Sequence, residues 1–291
     1  MRLGALEAGG TKMICSVGNE QGEILVRERF DTLSPDETMP GMIEFFQKQQ
    51  VEKLGIGCFG PLDLNPASPD FGSITTTPKL SWRNYPIYQA FKEALNIPVS
   101  IDTDVNVAVL AEQRLGAAQG KKNCLYLTVG TGIGGGVMID GQLVHGLMHP
   151  EAGHFPLCVI EGDPMPKGCC PYHQTAGCAE GLASGTAMRK RWGVPAETLP
   201  LEHQAWQMEA GYLAQLCVTA TALFSPEIIV LGGGVMQKEG LIELVRGKLA
   251  DYLGGYWQHP VLQHPEQYLV LPGLGNNAGA TGALLLAMDA K

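Results

Sequence analysis

Two imidazoles and two thiols, those of His154, Cys170, His173 and Cys178, fall within one stretch of the chain. Deprotonated thiols are soft ligands, and with two imidazoles they form a donor set suited to tetrahedral Zn2+. Cys170 and His173 stand close together, and Cys169 is an adjacent competitor for the same role. The alternative use of these residues is a redox-reactive thiol cluster. A second kind of chemistry is written in three glycine-rich turns, Gly9-Gly10-Thr11, Gly130-Thr131-Gly132 continuing to Gly136, and Gly232-Gly233-Gly234. Each follows or enters a run of apolar and β-branched residues, and glycine lets backbone N–H groups approach an anion closely. The turns therefore point to a phosphate-bearing ligand. None ends in the Walker Gly-Lys-Ser/Thr, and none opens a clean dinucleotide-binding unit, so a different nucleotide fold is required. Phosphoryl transfer also needs a carboxylate to take a proton. Asp104, just after a short strand and near the start of a helix, is the candidate base; a helix N-cap is the ordinary use of that position.

The elements that must position these groups are legible. Residues 3–17 read as strand, Gly-Gly-Thr turn and strand, and Gly18 to Gly22 turns the chain into a third strand over 23–27, a meander. The same order recurs: strand at 124–129, glycine turn, strand at 136–139, Asp140-Gly141 turn and strand at 142–144. Laid side by side, the two passages predict a duplicated fold. Residues 54–60 and 99–102 read as short buried strands, and 37–50 and 105–115 as helices. A long helix over 205–224, a buried strand at 227–231 and a helix over 241–252 follow. Alternating strands and helices predict an α/β fold.

Composition narrows the partners. Against 20 basic residues stand 29 acidic ones, a formal charge of −9, which argues against nucleic acid or an anionic membrane as the main partner. No window approaches the roughly 20 apolar residues needed to cross a bilayer, and no apolar signal region precedes the first strand. The expectation is a cytoplasmic protein. Cys15, Cys58, Cys124 and Cys217 lie in apolar stretches, as buried free thiols do.

Glu7-Ala8-Gly9-Gly10-Thr11-Lys12, Thr103-Asp104-Val105-Asn106, Gly130 to Gly134 and Glu151-Ala152-Gly153-His154, in this order, resemble the ROK family of sugar kinases and repressors. The likeness continues through the Cys/His cluster, Cys178-Ala179-Glu180-Gly181 and Gly232-Gly233-Gly234-Val235. Glu7 in place of the more usual aspartate, Phe59-Gly60-Pro61, Thr76-Thr77-Pro78-Lys79 with Trp82, and Cys170-Pro171-Tyr172-His173 resemble its bacterial fructokinase branch. The family's repressors carry an N-terminal DNA-binding region, whereas here the first glycine turn begins at residue 9.

The resemblance implies the actin/hexokinase-like (ribonuclease H-like) fold, with two lobes and a cleft between them. The expected lobes are 1–115, with a C-terminal helix at about 278–291 packing back on it, and 116–277 with the zinc-binding loop. It further implies that Gly9, Gly10, Thr11, Lys12, Gly130, Thr131, Gly132, Gly232, Gly233 and Gly234 serve ATP, with Mg2+ bridging phosphate oxygens. Thr103, Asp104, Glu151, His154 and Glu180 are the expected sugar ligands, Thr103 standing where the family often has asparagine. Glu151 and His154, three residues apart, would share one face of a helical turn. His154, Cys170, His173 and Cys178 would hold a structural Zn2+, which could orient His154 through its second nitrogen. Glu7 could help hold hydrated Mg2+ or serve as a buried hydrogen-bond acceptor. The expected activity is phosphorylation of D-fructose by ATP, with Asp104 as base. The alternatives are a kinase for glucose, mannose or an N-acetylhexosamine, and a sugar sensor without turnover. A homodimer is expected, with no nucleic acid or membrane partner.

Overall fold

The computed structural model describes residues 1–173 and 176–291. Its strands are β1 (Leu3–Ala8), β2 (Lys12–Gly18), β3 (Ile24–Asp31), β4 (Lys53–Cys58), β5 (Val99–Thr103), β6 (Cys124–Val129), β7 (Ile133–Ile139), β8 (Gln142–Leu143), β9 (Ile228–Gly232) and β10 (Leu269–Val270). Its α-helices are α1 (Pro35–Gln49), α2 (Ile87–Leu95), α3 (Asp104–Leu115), α4 (Ala179–Ala183), α5 (Gly185–Trp192), α6 (Gln204–Phe224), α7 (Leu241–Leu253), α8 (Pro265–Tyr268) and α9 (Ala278–Met288).

The duplication expected from the sequence is present. One sheet has the order β3-β2-β1-β4-β5 and the other β8-β7-β6-β9-β10, the same connectivity twice. In the first, β1 pairs antiparallel with β2 and parallel with β4, and β4 parallel with β5. In the second, β6 pairs antiparallel with β7 and parallel with β9, and β9 parallel with β10. Helices follow the parallel strands because a parallel pair needs a long crossover. This is the actin/hexokinase-like α/β fold.

Two compact units form around these sheets. The first comprises Met1–Gly116, Leu143–Pro150 and Asn276–Lys291; the second comprises Ala117–Gln142 and Glu151–Gly275. The segment Leu143–Pro150 thus joins the first unit, whereas the sequence boundary assigned it to the second lobe. In the first unit one face of the sheet buries Leu6, Met13, Ile56, Phe46, Trp82 and Phe91 under α1 and α2. The other face takes α9, whose Ala283, Leu284 and Ala287 meet Leu3 and Ala5. α9 is apolar on every side, as a helix buried on more than one face must be. Gly55 makes that contact close, since a Cβ there would run into the Ala283 carbonyl of α9. In the second unit α6 buries Tyr212, Leu213, Leu216 and Cys217 on its inner side. Cys15, Cys58, Cys124 and Cys217 are all buried free thiols. Among the described residues no helix is long and apolar enough to cross a membrane.

Candidate active site

In the first unit the candidate groups gather at the carboxyl ends of β1 and β5. β5 runs into α3 with no intervening loop, so Asp104 is the first residue of that helix. The N-cap is Thr103, whose hydroxyl oxygen accepts the Asn106 N–H at 3.1 Å. Capping is therefore Thr103's task, and the Asp104 carboxylate, which among the described residues accepts only from backbone at the helix start, is not spent on it. Burial, reinforced by the nearby charge of Glu7, lifts the Asp104 carboxyl to about 7. A carboxyl with that value can take up and release a proton near neutrality.

Glu7 lies on β1, one residue before the strand's end, and its own carboxyl is raised by burial, opposed by Lys12 and Arg27. Gly279 of α9 makes room for it: a Cβ there would sit 2.8 Å from the Glu7 carboxyl carbon. No donor reaches the Glu7 carboxylate among the described residues, which disfavours the role of a buried structural acceptor. Such a carboxylate is suited to a hydrated cation. The glycine turn follows at once. Gly9 N–H donates within the turn to the Lys12 carbonyl at 3.0 Å, while those of Gly10 and Thr11 donate to nothing among the described residues. Thr11 and Lys12 are exposed.

Asp102, on β5 two residues before Asp104, is the pivot behind it. Its buried carboxylate accepts from Thr103 N–H at 2.7 Å and Asn106 Nδ2 at 2.8 Å, and lies 2.9 Å from His145 Nε2. The hydrogen bond to Asp102 raises the His145 pKa. His149 is buried and accepts the Leu62 N–H at 3.0 Å through Nε2. Neither histidine was singled out in the sequence, because their partners are more than forty residues away.

The second unit repeats the turn with different surroundings. Gly130 N–H donates to the Gly132 carbonyl at 2.9 Å, and the Gly130 carbonyl accepts from Gly185 N–H, at the start of α5, at 2.7 Å. The Thr131 and Gly132 N–H groups donate to nothing among the described residues. Beside the turn opens a cavity of ≈ 1090 Å³, lined by Thr131, Thr186, Arg189, Trp206, Gly234 and Lys238 among others. That volume accommodates a nucleotide-sized ligand. Of the third glycine turn only Gly234 lines it. Gly232 closes β9, and Gly233 takes φ +92° where a Cβ would strike the Val129 backbone.

Glu151 is the N-cap and His154 the last residue of a single 3-10 turn, Ala152–His154, and in a 3-10 helix residues three apart eclipse one another. Glu180, at the start of α4, accepts the Ile133 N–H at 3.1 Å through Oε2, and a Cβ at Gly132 would run into the same carboxylate. The expected sugar ligand is thus also the clip that fixes the end of the glycine turn. Gly153, one residue before His154, packs closely on the Ile133 carbonyl.

The metal donors converge. One ligand atom from each of His154, Cys170, His173 and Cys178 lies within 4.8 Å of all the others. Cys170 Sγ is 3.4 Å from His173 Nδ1 and 3.8 Å from His154 Nδ1, and Cys178 Sγ is 3.9 Å from His154 Nδ1. A tetrahedral zinc with ordinary Zn–S and Zn–N lengths sets its ligands about 3.3–3.8 Å apart, so the donor set fits. Cys169, the competitor, is outside the group and donates its N–H to the Gly181 carbonyl. Cys158 is also outside it, and exposed.

The model of the ROK family matches residues 3–290. This chain belongs to the ROK family. Among curated relatives, the fructokinase of Zymomonas mobilis is 46% identical over 296 residues, covering 99% of this chain and 97% of its own. The fructokinase of Pediococcus pentosaceus is 42% identical over 290 residues, covering 100% and 99%. Among solved structures, the ROK hexokinase of Thermus thermophilus superposes with a TM-score of 0.79 at 31% identity, covering 99% of this chain and 98% of its own. Within this ROK chain, the glycine turns, the carboxylate at the start of α3 and the Cys/His cluster stand on the elements just described.

Proposed function

We propose that D-fructose is the phosphoryl acceptor and fructose 6-phosphate the product. The enzyme class, an ATP-dependent hexose kinase, follows from family membership together with full-length kinase relatives above 40% identity. Fructose is the acceptor named by those relatives. The observation that carries the mechanism is Asp104, a carboxyl held at about 7 and free of the capping role.

In this reading the Asp104 carboxylate accepts the proton of the sugar's 6-hydroxyl as that oxygen attacks the γ-phosphorus and ADP departs. Transfer of this kind is catalysed chiefly by positioning and by stabilising charge. The unpaired N–H groups of Gly10 and Thr11 in one turn, and of Thr131 and Gly132 in the other, are the donors for phosphate oxygens, with Lys12 adding positive charge. Adenosine occupies the cavity of the second unit, Gly234 allowing close approach of the ligand to the backbone. Glu7 is the carboxylate that would hold the water shell of Mg2+ bound to ATP, and that ion would neutralise phosphate charge. Thr103, Glu151, His154 and Glu180 read the sugar hydroxyls. His154, Cys170, His173 and Cys178 would hold Zn2+, which would supply no chemistry but tie together the loop between Glu151 and Glu180.

The test is ADP release with a panel of hexoses, ATP and Mg2+. Fructose should give the highest kcat/KM. Preference for glucose, mannose or an N-acetylhexosamine would overturn the acceptor while retaining the class, and absence of turnover on every sugar would favour a sensor.

A further inference from the structure

Lys79 does not figure in any role described so far. We propose that it is the cation that binds the phosphoryl group in flight, a reading that rests on the kinase assignment above. Its side chain lies against the first glycine turn: a Cβ built on Gly10 would be 3.1 Å from Lys79 Cε. The ammonium is one bond beyond that methylene, and it makes no hydrogen bond or ion pair among the described residues. An unspent cation therefore sits over the turn whose Gly10 and Thr11 N–H groups are also unspent.

The placement is built rather than incidental. Lys79 N–H donates to Thr77 Oγ1 at 3.3 Å, and its carbonyl accepts the Trp82 N–H at 2.9 Å. Trp82 is completely buried and its indole donates to the Leu33 carbonyl at 2.6 Å. Thr32, the preceding residue, holds the glycine turn itself: its hydroxyl donates to the Gly9 carbonyl at 2.8 Å and its N–H to the Thr11 carbonyl at 3.2 Å. Consecutive residues thus fix both the lysine's platform and the turn, so the two keep one spacing without reorganisation. Preorganised charge of this kind stabilises a transition state most effectively. Arg83 adds a further tie, donating to the Thr77 carbonyl at 3.1 Å.

The chemistry of the side chain selects the ligand. An ammonium has three donors and no acceptor, which suits a phosphoryl group's oxygens. A sugar hydroxyl is better read by groups that accept its hydrogen bond, such as Glu151 and Glu180. Gly10 leaves room for this approach, since a Cβ there would crowd Lys79 Cε at 3.1 Å.

The decisive experiment compares wild type with Lys79→Gln and Lys79→Arg, first by thermal melting to show that all three are folded, then by kinetics and calorimetry. Lys79→Gln should lower kcat about 100- to 1,000-fold, the usual loss for one charge-stabilising donor. KM for fructose should stay within about twofold, and Lys79→Arg should recover part of kcat because it keeps the charge. In titrations without sugar, Lys79→Gln should weaken ATP by about tenfold and leave ADP unchanged. A rise in KM for fructose with kcat retained would make Lys79 a sugar ligand and overturn the proposal. Equal weakening of ATP and ADP, or no change in either, would also overturn it. The nucleotide titrations need no turnover, so they decide the role of Lys79 even if no hexose proves to be a substrate.

Discussion

In the first unit β1 enters its glycine turn with a carboxylate, Glu7, opposite Ile14; in the second, β6 enters its turn with Thr128 opposite Gly134, the matching place in the ladder. The strand-to-helix connections diverge further. β5 passes directly into α3 and sets Asp104 at the junction, whereas β10 ends at Val270 and α9 starts only at Ala278. One connectivity thus carries two chemistries. The first unit concentrates negative charge and a raised carboxyl pKa, as a site that moves a proton needs. The second holds soft metal donors and a large cavity, as a site that grips a ligand and a loop needs. A duplicated frame fixes where groups can stand, and the residues at strand ends decide what they do.

The strongest way to break this division is Asp104→Asn. It should reduce kcat by about 100- to 10,000-fold, the ordinary contribution of a general base. The same variant should melt higher than wild type, and by more at pH 8 than at pH 5. The sign follows from the raised carboxyl: with a folded value of about 7, the folded state favours the protonated form, so wild type loses stability as pH rises from the ordinary value of 3.8 towards 7. Asparagine escapes that cost. A variant that loses activity without gaining stability at high pH would mean that Asp104 is not held in the raised state.

The second unit's part is tested at its metal loop. Cys170→Ser should abolish stoichiometric zinc, measured by elemental analysis, and lower the melting temperature by several degrees, while Cys169→Ser should leave both unchanged. Glu180→Gln keeps the shape but weakens both the proposed sugar contact and the hold on Ile133 N–H, and should raise KM for fructose and for ATP. If KM for fructose alone rises, Glu180 acts on the sugar and not through the glycine turn.

A smaller effect sharpens the first unit's electrostatics. Because the charge of Glu7 raises Asp104, Glu7→Gln should move the acid limb of kcat/KM to lower pH, so that relative activity at pH 6 increases. The wild-type limb should lie near the Asp104 value of about 7, since kcat/KM reports the free enzyme. A limb that stays in place in Glu7→Gln would locate the titrating group elsewhere.

What was legible in the sequence was local. Glycine turns announce themselves by composition, so both meanders, the strand before Asp104 and the Cys/His donors were readable from spacing. The duplication followed from laying two such passages together. Contacts between distant segments were not legible. Nothing in the residues around Thr76-Thr77-Pro78-Lys79 indicates that Trp82 hangs from Leu33 and so brings Lys79 over Gly10. Glu180 carried a sugar-binding expectation, but its bond to Ile133 N–H joins residues nearly fifty positions apart. The N-cap was also misread as an option for Asp104, because the choice between Thr103 and Asp104 depends on where β5 stops, and strand ends are the least determined part of a pattern.

The place where the repeat is broken offers the finest test. Leu143–Pro150 begins at the last residue of β8 in the second meander yet belongs to the first unit, held there by His145 on Asp102 and by His149 on Leu62 N–H. The hydrogen bond to Asp102 raises the His145 pKa above its ordinary value of 6.5, so its charged form stabilises the fold. That contribution is complete below the unfolded value and fades as pH rises through the folded one. His145 is partly exposed, with 41% of its side chain accessible, so solvent screening limits the effect to under about 1 kcal/mol. His145→Ala should therefore destabilise more at pH 5.5 than at pH 8.5 in chemical denaturation. The residual loss at pH 8.5 measures the neutral hydrogen bond to the carboxylate that also holds Thr103 and Asn106. A pH-independent loss would mean that the histidine is neutral throughout, and that the segment is anchored by His149 and packing instead.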